Sequence, residues 1–341
     1  MKFVNFTVYA LCRVVLFFGR WMPMTPTFWF MRALGRIGWR FAHRRRALIL
    51  SNLELALGAE TTPEERERIG RESLIHVLVS VGECLHMYRM YAHPEKYFTF
   101  IGRENVRPLI DRGQGLFAFG GHFGGWMLPG AIMLAFPDLP GAGMVARPLR
   151  NPRLQELLEY MVVQFGGHLI TTRGTGQGIV DAAARGELIG LYMDQESRRD
   201  QGIFINFFGR PANSHVVPGY LAWKHDIPLV SFWLIREQPG HYRVEFSQPL
   251  EYELTGDTDE NNRRVTQAIA TEVERIIRLH PEQWLWAHNR WRRRPDGTKV
   301  TLFEKKKKSG RSKARKSGNY LSSVDQAKQA ADDRAAGDKK E

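Results

Sequence analysis

From about residue 97 to residue 279 the sequence switches repeatedly between short apolar runs and longer stretches of helical character. That alternation leaves few architectures open. The runs are 115–120, 141–146, 168–171, 187–193, 203–208, 228–235 and 241–247, and helices are expected near 104–112, 125–135, 152–165, 175–185, 214–225 and 259–279. The pattern predicts an α/β fold with a mostly parallel mixed sheet flanked by helices. Upstream, residues 25–57 and 63–92 read as helices. Pro63 followed by Glu64 and Glu65 suits a helix start, because proline fits the first turn and acids favour the positive dipole end. No internal repeat is visible.

Charge divides the chain into three parts. The 341 residues carry a formal net charge of +13, yet residues 1–50 hold nine basic side chains and no acid, and residues 304–341 hold twelve basic and six acidic ones. The body between them is near neutral. A nucleic-acid enzyme usually carries its basic stripe on the fold itself, so no nucleic-acid partner is expected. Cationic ends suit a protein resting on an anionic phospholipid surface. Residues 3–18 are apolar but interrupted by Asn5, Thr7 and Arg13. As a helix they reach only about 24 Å, short for a span, and a mid-helix arginine is costly in a bilayer. Aromatics mixed with arginines from Trp21 to Trp39 instead suggest interfacial helices. The expected organisation is therefore N-terminal membrane-associated helices over 1–57, an α/β domain over 58–303 and a disordered polybasic tail over 304–341. Two cysteines, Cys12 and Cys84, cannot build a disulfide framework or a cysteine-rich zinc site, and no metal is expected.

Three of the apolar runs end in residues capable of chemistry. One ends in Gly120-Gly121-His122-Phe123-Gly124-Gly125, another in Arg147-Pro148 and a third in Asp194-Gln195. Ligands of open α/β sheets bind beyond the carboxyl ends of parallel strands, so His122, Arg147 and Asp194 converge on one rim if their strands are neighbours. Histidine can take a proton from a hydroxyl near neutral pH. The glycines lack the spacing of a dinucleotide fingerprint or a P-loop, and no Gly-x-Ser-x-Gly elbow is present.

Four blocks carry a resemblance: GGHFGGWML, VARPLRNPRLQELLE, GELIGLYMDQESRRDQGIFINFFGRPA and HPEQWLWAHNRWRRRP. In this order the sequence resembles the late lipid A biosynthesis acyltransferases, relatives of the glycerolipid acyltransferases, over about residues 5–295. The resemblance implies a single glycerolipid-acyltransferase-like domain. It also implies an enzyme at the cytoplasmic face of the bacterial inner membrane, monotopic or with one N-terminal anchor. Such an enzyme moves an acyl chain from acyl carrier protein or coenzyme A to a hydroxyl of a membrane lipid. It needs no cofactor beyond that thioester co-substrate.

The family motif is a histidine, four residues, then an acid. His122 matches it, but Met127 stands where the acid is expected, and a thioether cannot carry negative charge. Two readings follow. Either Asp194 substitutes as partner of the His122 base, with Glu196 and Asp200 weaker options, or the protein binds acyl lipid without turnover. Met127 itself reads as the start of a helix packing on the sheet. The resemblance implies Arg147 as a phosphate contact, with Arg173 a weaker second one, and its Phe-Phe-Gly element leaves Phe207 and Phe208 as either walls of an acyl channel or ordinary core; the glycine-rich turn after His122 offers Gly124 and Gly125 as backbone donors to the tetrahedral oxyanion. Arg290 and Arg292–Arg294, interleaved with Trp286 and Trp291, look like an interfacial strip.

Overall fold

A computed structural model describes residues 2–19, 21–171, 175–198 and 202–300. The expected tail, Arg173 and Asp200 fall outside these residues. The central sheet has seven strands: β1 (Phe98–Ile101), β2 (Leu116–Gly120), β3 (Ala142–Ala146), β4 (Gly167–Thr171), β5 (Leu188–Tyr192), β8 (Leu229–Gln238) and β9 (His241–Phe246), in the order β1-β9-β8-β2-β5-β3-β4. All neighbours are parallel except β8 and β9, which form a hairpin. The strands β6 (Gly202–Phe207) and β7 (Arg210–His215) make a separate antiparallel pair. The sheet is thus the mixed, mostly parallel one read from the alternation. Strand β1 was missed because it is only four residues long, FTFI. Strand β7 was missed because RPANSH carries little apolar signal.

The two faces of the sheet differ in residue size. Phe117, Phe119, Ile189, Leu191 and Trp233 point into one core, shared with α10 (Thr258–Leu279) and the tryptophans after it. Leu116, Ala118, Leu188, Val230 and Phe232 point into the other. That second core lies against α4 (Pro63–Ala92), α6 (Ala131–Ala135) and α7 (Pro152–Val163). The long α4 begins as its sequence dictates: Thr62 caps it by accepting from the Glu65 amide, and Pro63 occupies the first turn.

At the N-terminus, α1 (Lys2–Gly19) meets α7, where Arg153 lies over the rings of Phe6 and Tyr9. The single helix expected over 25–57 is two, α2 (Met24–Phe41) and α3 (His43–Leu57), broken at Ala42. Packing explains the break. Trp39 from α2 and Ile49 and Leu53 from α3 converge on Gly70 of α4, where even a methyl would sit 2.8–3.3 Å from them. One straight helix cannot deliver residues 39, 49 and 53 to a single point. Among the described residues no helix is long and apolar enough to cross a membrane. The outer surfaces of α1 and α2 nevertheless expose Phe17, Phe18, Trp29, Phe30 and Phe41, with Trp29 70% exposed.

Candidate active site

Strands β2 and β5 are parallel neighbours, with Gly120 paired to Tyr192. His122 and Asp194 each lie two residues beyond that pair, so equal overhang brings them level. His122 Nδ1 is 2.9 Å from Asp194 Oδ1. The other carboxylate oxygen accepts the His122 backbone N–H and the Trp284 indole N–H, each at 2.9 Å. Gly121 permits the approach, since a Cβ there would lie 3.1 Å from Asp194 Cβ and Cγ. Asp194 is 2% exposed and the His122 side chain 18%.

Electrostatics bind the pair. Burial alone would hold the Asp194 carboxyl protonated, but the facing imidazole and the hydrogen-bond donors prevail and pull its pKa down to about 2. Burial likewise disfavours a charged His122, yet the Asp194 charge and its hydrogen bond outweigh this and raise the imidazole above 6.5. With Nδ1–H donating to Asp194, the neutral ring presents the Nε2 lone pair outward. Trp126 and Tyr192 flank the ring at centroid distances of 4.9 and 5.0 Å, and the Tyr192 hydroxyl donates to Trp126 O. The Gln195 amide lies across the imidazole edge, 3.1 and 3.2 Å from its nitrogens.

The turn after His122 is held from behind. Gly124 has φ +53°, and a Cβ there would lie 1.9 Å from Leu234 O. Its carbonyl accepts from Ser80 Oγ at 2.9 Å and Arg236 Nη2 at 3.0 Å. Arg236 pairs in turn with the fully buried Glu83 of α4. The expectation that Gly124 and Gly125 serve as oxyanion donors is corrected here. Gly124 N–H donates to Gln283 O and Gly125 N–H to Leu234 O, so both amides are spent on seating the turn. Phe123 N–H and Trp126 N–H are also engaged, with Gly121 O and Phe123 O.

An apolar cavity of about 300 Å³ opens beside the histidine. It lies between the second face of the sheet and helices α4, α6 and α7, and reaches from Trp126 and Tyr192 to Leu188 and Ala142. The cavity exists because Ala118, Gly120, Ala142 and Gly190 leave the sheet face shallow where the opposite face carries phenylalanine and isoleucine. Met127 is part of this wall rather than the start of a helix; residues 123–130 form turns, and α6 begins only at Ala131. Two prolyl and glycyl interruptions, Pro129 and Gly130, delay it.

The remaining expected residues divide. Arg147 is exposed at the end of β3, on the same rim, and its charge reaches His215 near the pair. Phe207 and Phe208 do not wall the cavity. They lie on the other side of the sheet, buried against Trp284, Trp286 and Trp291. The strip of arginines and tryptophans is also not interfacial throughout. Trp286 and Trp291 are core residues, and Arg290 is buried, donating to Asn213 O and Ser214 Oγ. Burial lowers its guanidinium pKa to about 10. Glu196 is occupied by Arg293, whose backbone N–H and guanidinium both donate to its carboxylate. Sequence reading missed Trp284 as an Asp194 donor; its signal was present in the HPEQWLWAHNRW block, but indole direction needs the fold.

Comparison with known proteins gives a consistent result. The bacterial lipid A biosynthesis acyltransferase family is matched over residues 2–293. The lipid A biosynthesis lauroyltransferase of Escherichia coli (strain K12) is 26% identical over 270 residues, covering 77% of this chain and 84% of that protein. A lipid A biosynthesis acyltransferase of Haemophilus influenzae is 25% identical over 284 residues, covering 80% and 88%. The lipid A biosynthesis palmitoleoyltransferase of E. coli is 27% identical over 275 residues, covering 77% and 84%.

Proposed function

The chain belongs to the bacterial lipid A biosynthesis acyltransferase family, and on that premise we propose that it moves a fatty acyl chain from an acyl-carrier-protein or coenzyme A thioester to a hydroxyl of a lipid A precursor, with His122 as general base. The observation that carries the proposal is the His122–Asp194 pair, whose imidazole packs on Trp126 and Tyr192 of the apolar cavity wall. Met127 motivated a non-catalytic reading; a carboxylate already seated on Nδ1 supports turnover instead.

In this mechanism the acceptor hydroxyl oxygen attacks the thioester carbon while its proton passes to His122 Nε2. Asp194 holds the tautomer and balances the imidazolium. The tetrahedral intermediate collapses, the C–S bond breaks, and the departing thiolate takes the proton from His122. Gln195 is the side-chain amide at that edge and the candidate donor to the oxyanion, replacing the engaged glycine amides. The acyl chain lies in the cavity. Arg147 on the rim meets phosphate of acceptor or donor, as a guanidinium fork can.

The enzyme works in this reading at the cytoplasmic leaflet. Exposed Trp21, Trp29, Phe30 and Phe41 beside Arg36 and Arg40 support interfacial seating on anionic lipid. Purified full-length protein with acyl-carrier and coenzyme A thioesters and lipid A precursors, read by mass spectrometry, should yield acylated lipid. His122→Ala should lower the rate by at least about 10³-fold. Product formed equally well by His122→Ala would overturn the assignment.

A further inference from the structure

The cavity beside His122 has a readable depth, and we infer that it gauges the donor chain at about ten to twelve carbons, with Gly190 as the position that keeps its middle open. The inference rests on the acyl-transfer reading of this site and specifies its substrate. On β5 the residues facing the cavity are Leu188, Gly190 and Tyr192. Tyr192 touches His122, so the strand itself is a scale running away from the reacting atoms. Four residues at ~3.3 Å give a depth of ~13 Å. An extended hydrocarbon with C–C bonds of ~1.5 Å advances ~1.3 Å per carbon, so about ten carbons fit below Tyr192. The carbonyl carbon and its neighbour remain at the histidine.

Gly190 occupies the midpoint of that scale. Its backbone does not require glycine: the φ lies outside the left-handed region, and an added Cβ would meet nothing closer than Gly143 O at 3.8 Å. A side chain is therefore sterically allowed by the protein, and the space in front of Gly190 belongs to the cavity. Ala142 of β3 marks the far end, paired across the sheet with Leu188. Around the chain, Met87, Met127, Met133, Met144 and Met161 supply flexible thioethers that fit an unbranched hydrocarbon without polar demands.

The experiment uses full-length protein, with saturated fatty acids displacing a fluorescent fatty-acid probe and with an acyl-thioester series in the transfer assay. Wild-type affinity should rise about fourfold per added methylene and level off at about twelve carbons. Gly190→Val should bring the plateau to about eight carbons and Ala142→Leu to about ten, so that the preference for twelve over eight carbons falls at least about tenfold in Gly190→Val. Gly190→Ala, which adds one methyl to open space, should trim about one carbon and serves if the valine variant does not fold. Folded variants that keep the wild-type plateau would overturn the gauge, as would a wild type with no plateau. Length-limited binding without transfer would retain the gauge and remove the transfer reading. Transfer without length preference would do the reverse.

Discussion

At the scale of single residues, the pair His122–Asp194 sets opposite pH trends for stability and activity. The folded pKa of His122 is raised, so its contribution to stability is present below about 6.5 and is lost as pH rises through the folded value. The folded pKa of Asp194 is lowered, so its contribution is present above about 3.8 and is lost as pH falls through about 2. A base must be neutral, so the transfer rate should climb with pH through an apparent pKa above 6.5. Asp194→Asn removes the group that raises it, which should move the inflection to lower pH while cutting the plateau rate by about 10²–10⁴-fold; a pH–rate profile reads both. An unchanged inflection would show that Asp194 does not govern the ring. Trp284→Phe deletes one of three donors to Asp194 and should slow transfer by about tenfold. Met127→Glu, which restores the family acid, places a carboxylate in an apolar wall with no Lys or Arg among its described lining residues. It should lower the rate and, more modestly, the melting temperature, because an unpaired carboxylate in a half-buried apolar wall is only partly solvated. A gain in rate would instead mean that the acid after the turn is still wanted.

At the scale of elements, the glycine turn is a seated part rather than a flexible one. Arg236 and Glu83 join β8, α4 and the Gly124 carbonyl in one buried network. Arg236→Ala leaves the buried Glu83 without its charged partner and should destabilise the fold by about 3–5 kcal/mol, measured by denaturant unfolding. Replacing both charges with apolar residues of similar volume should recover most of that stability but not the rate, since the Gly124 carbonyl would keep Ser80 and lose Arg236, one of its two donors. Recovery of both would show that the network serves packing alone. These elements also show what was legible in the sequence. Strand ends at Gly120 and Tyr192 could be read from apolar runs, and the parallel expectation then placed His122 and Asp194 on one rim. The engagement of the Gly124 and Gly125 amides could not be read, because their acceptors, Gln283 O and Leu234 O, are more than a hundred residues away in the chain. Phe207 and Phe208 failed for a related reason: aromatic residues in a hairpin carry no label for which side of the sheet they join.

At the scale of the whole molecule, the exposed Phe and Trp side chains among the described residues lie between Phe6 and Phe41, inside the acid-free stretch 1–50. Trp29 and Phe30 are 70% and 61% exposed, so Trp29→Glu and Phe30→Glu should leave folding intact. Each should reduce binding to phosphatidylglycerol vesicles by at least about tenfold, since burial of one large aromatic side chain is worth ~1.5–3 kcal/mol. Co-sedimentation measures this, and undiminished binding would place membrane contact elsewhere. One element connects this surface to the chemistry. Over its 30 residues, about 45 Å, α4 receives α2 at Ile75 and Gly82, steadies the catalytic turn through Ser80 and Glu83, and walls the cavity with Cys84, Met87 and Tyr91. In the proposed function, lipid seating, proton transfer and chain selection therefore share a single rod. An enzyme arranged this way has no spare joint: truncating its amphipathic start, or tilting the rod by a fraction of a turn, disturbs all three duties in the same motion, so partial activity should be rare among N-terminal deletions.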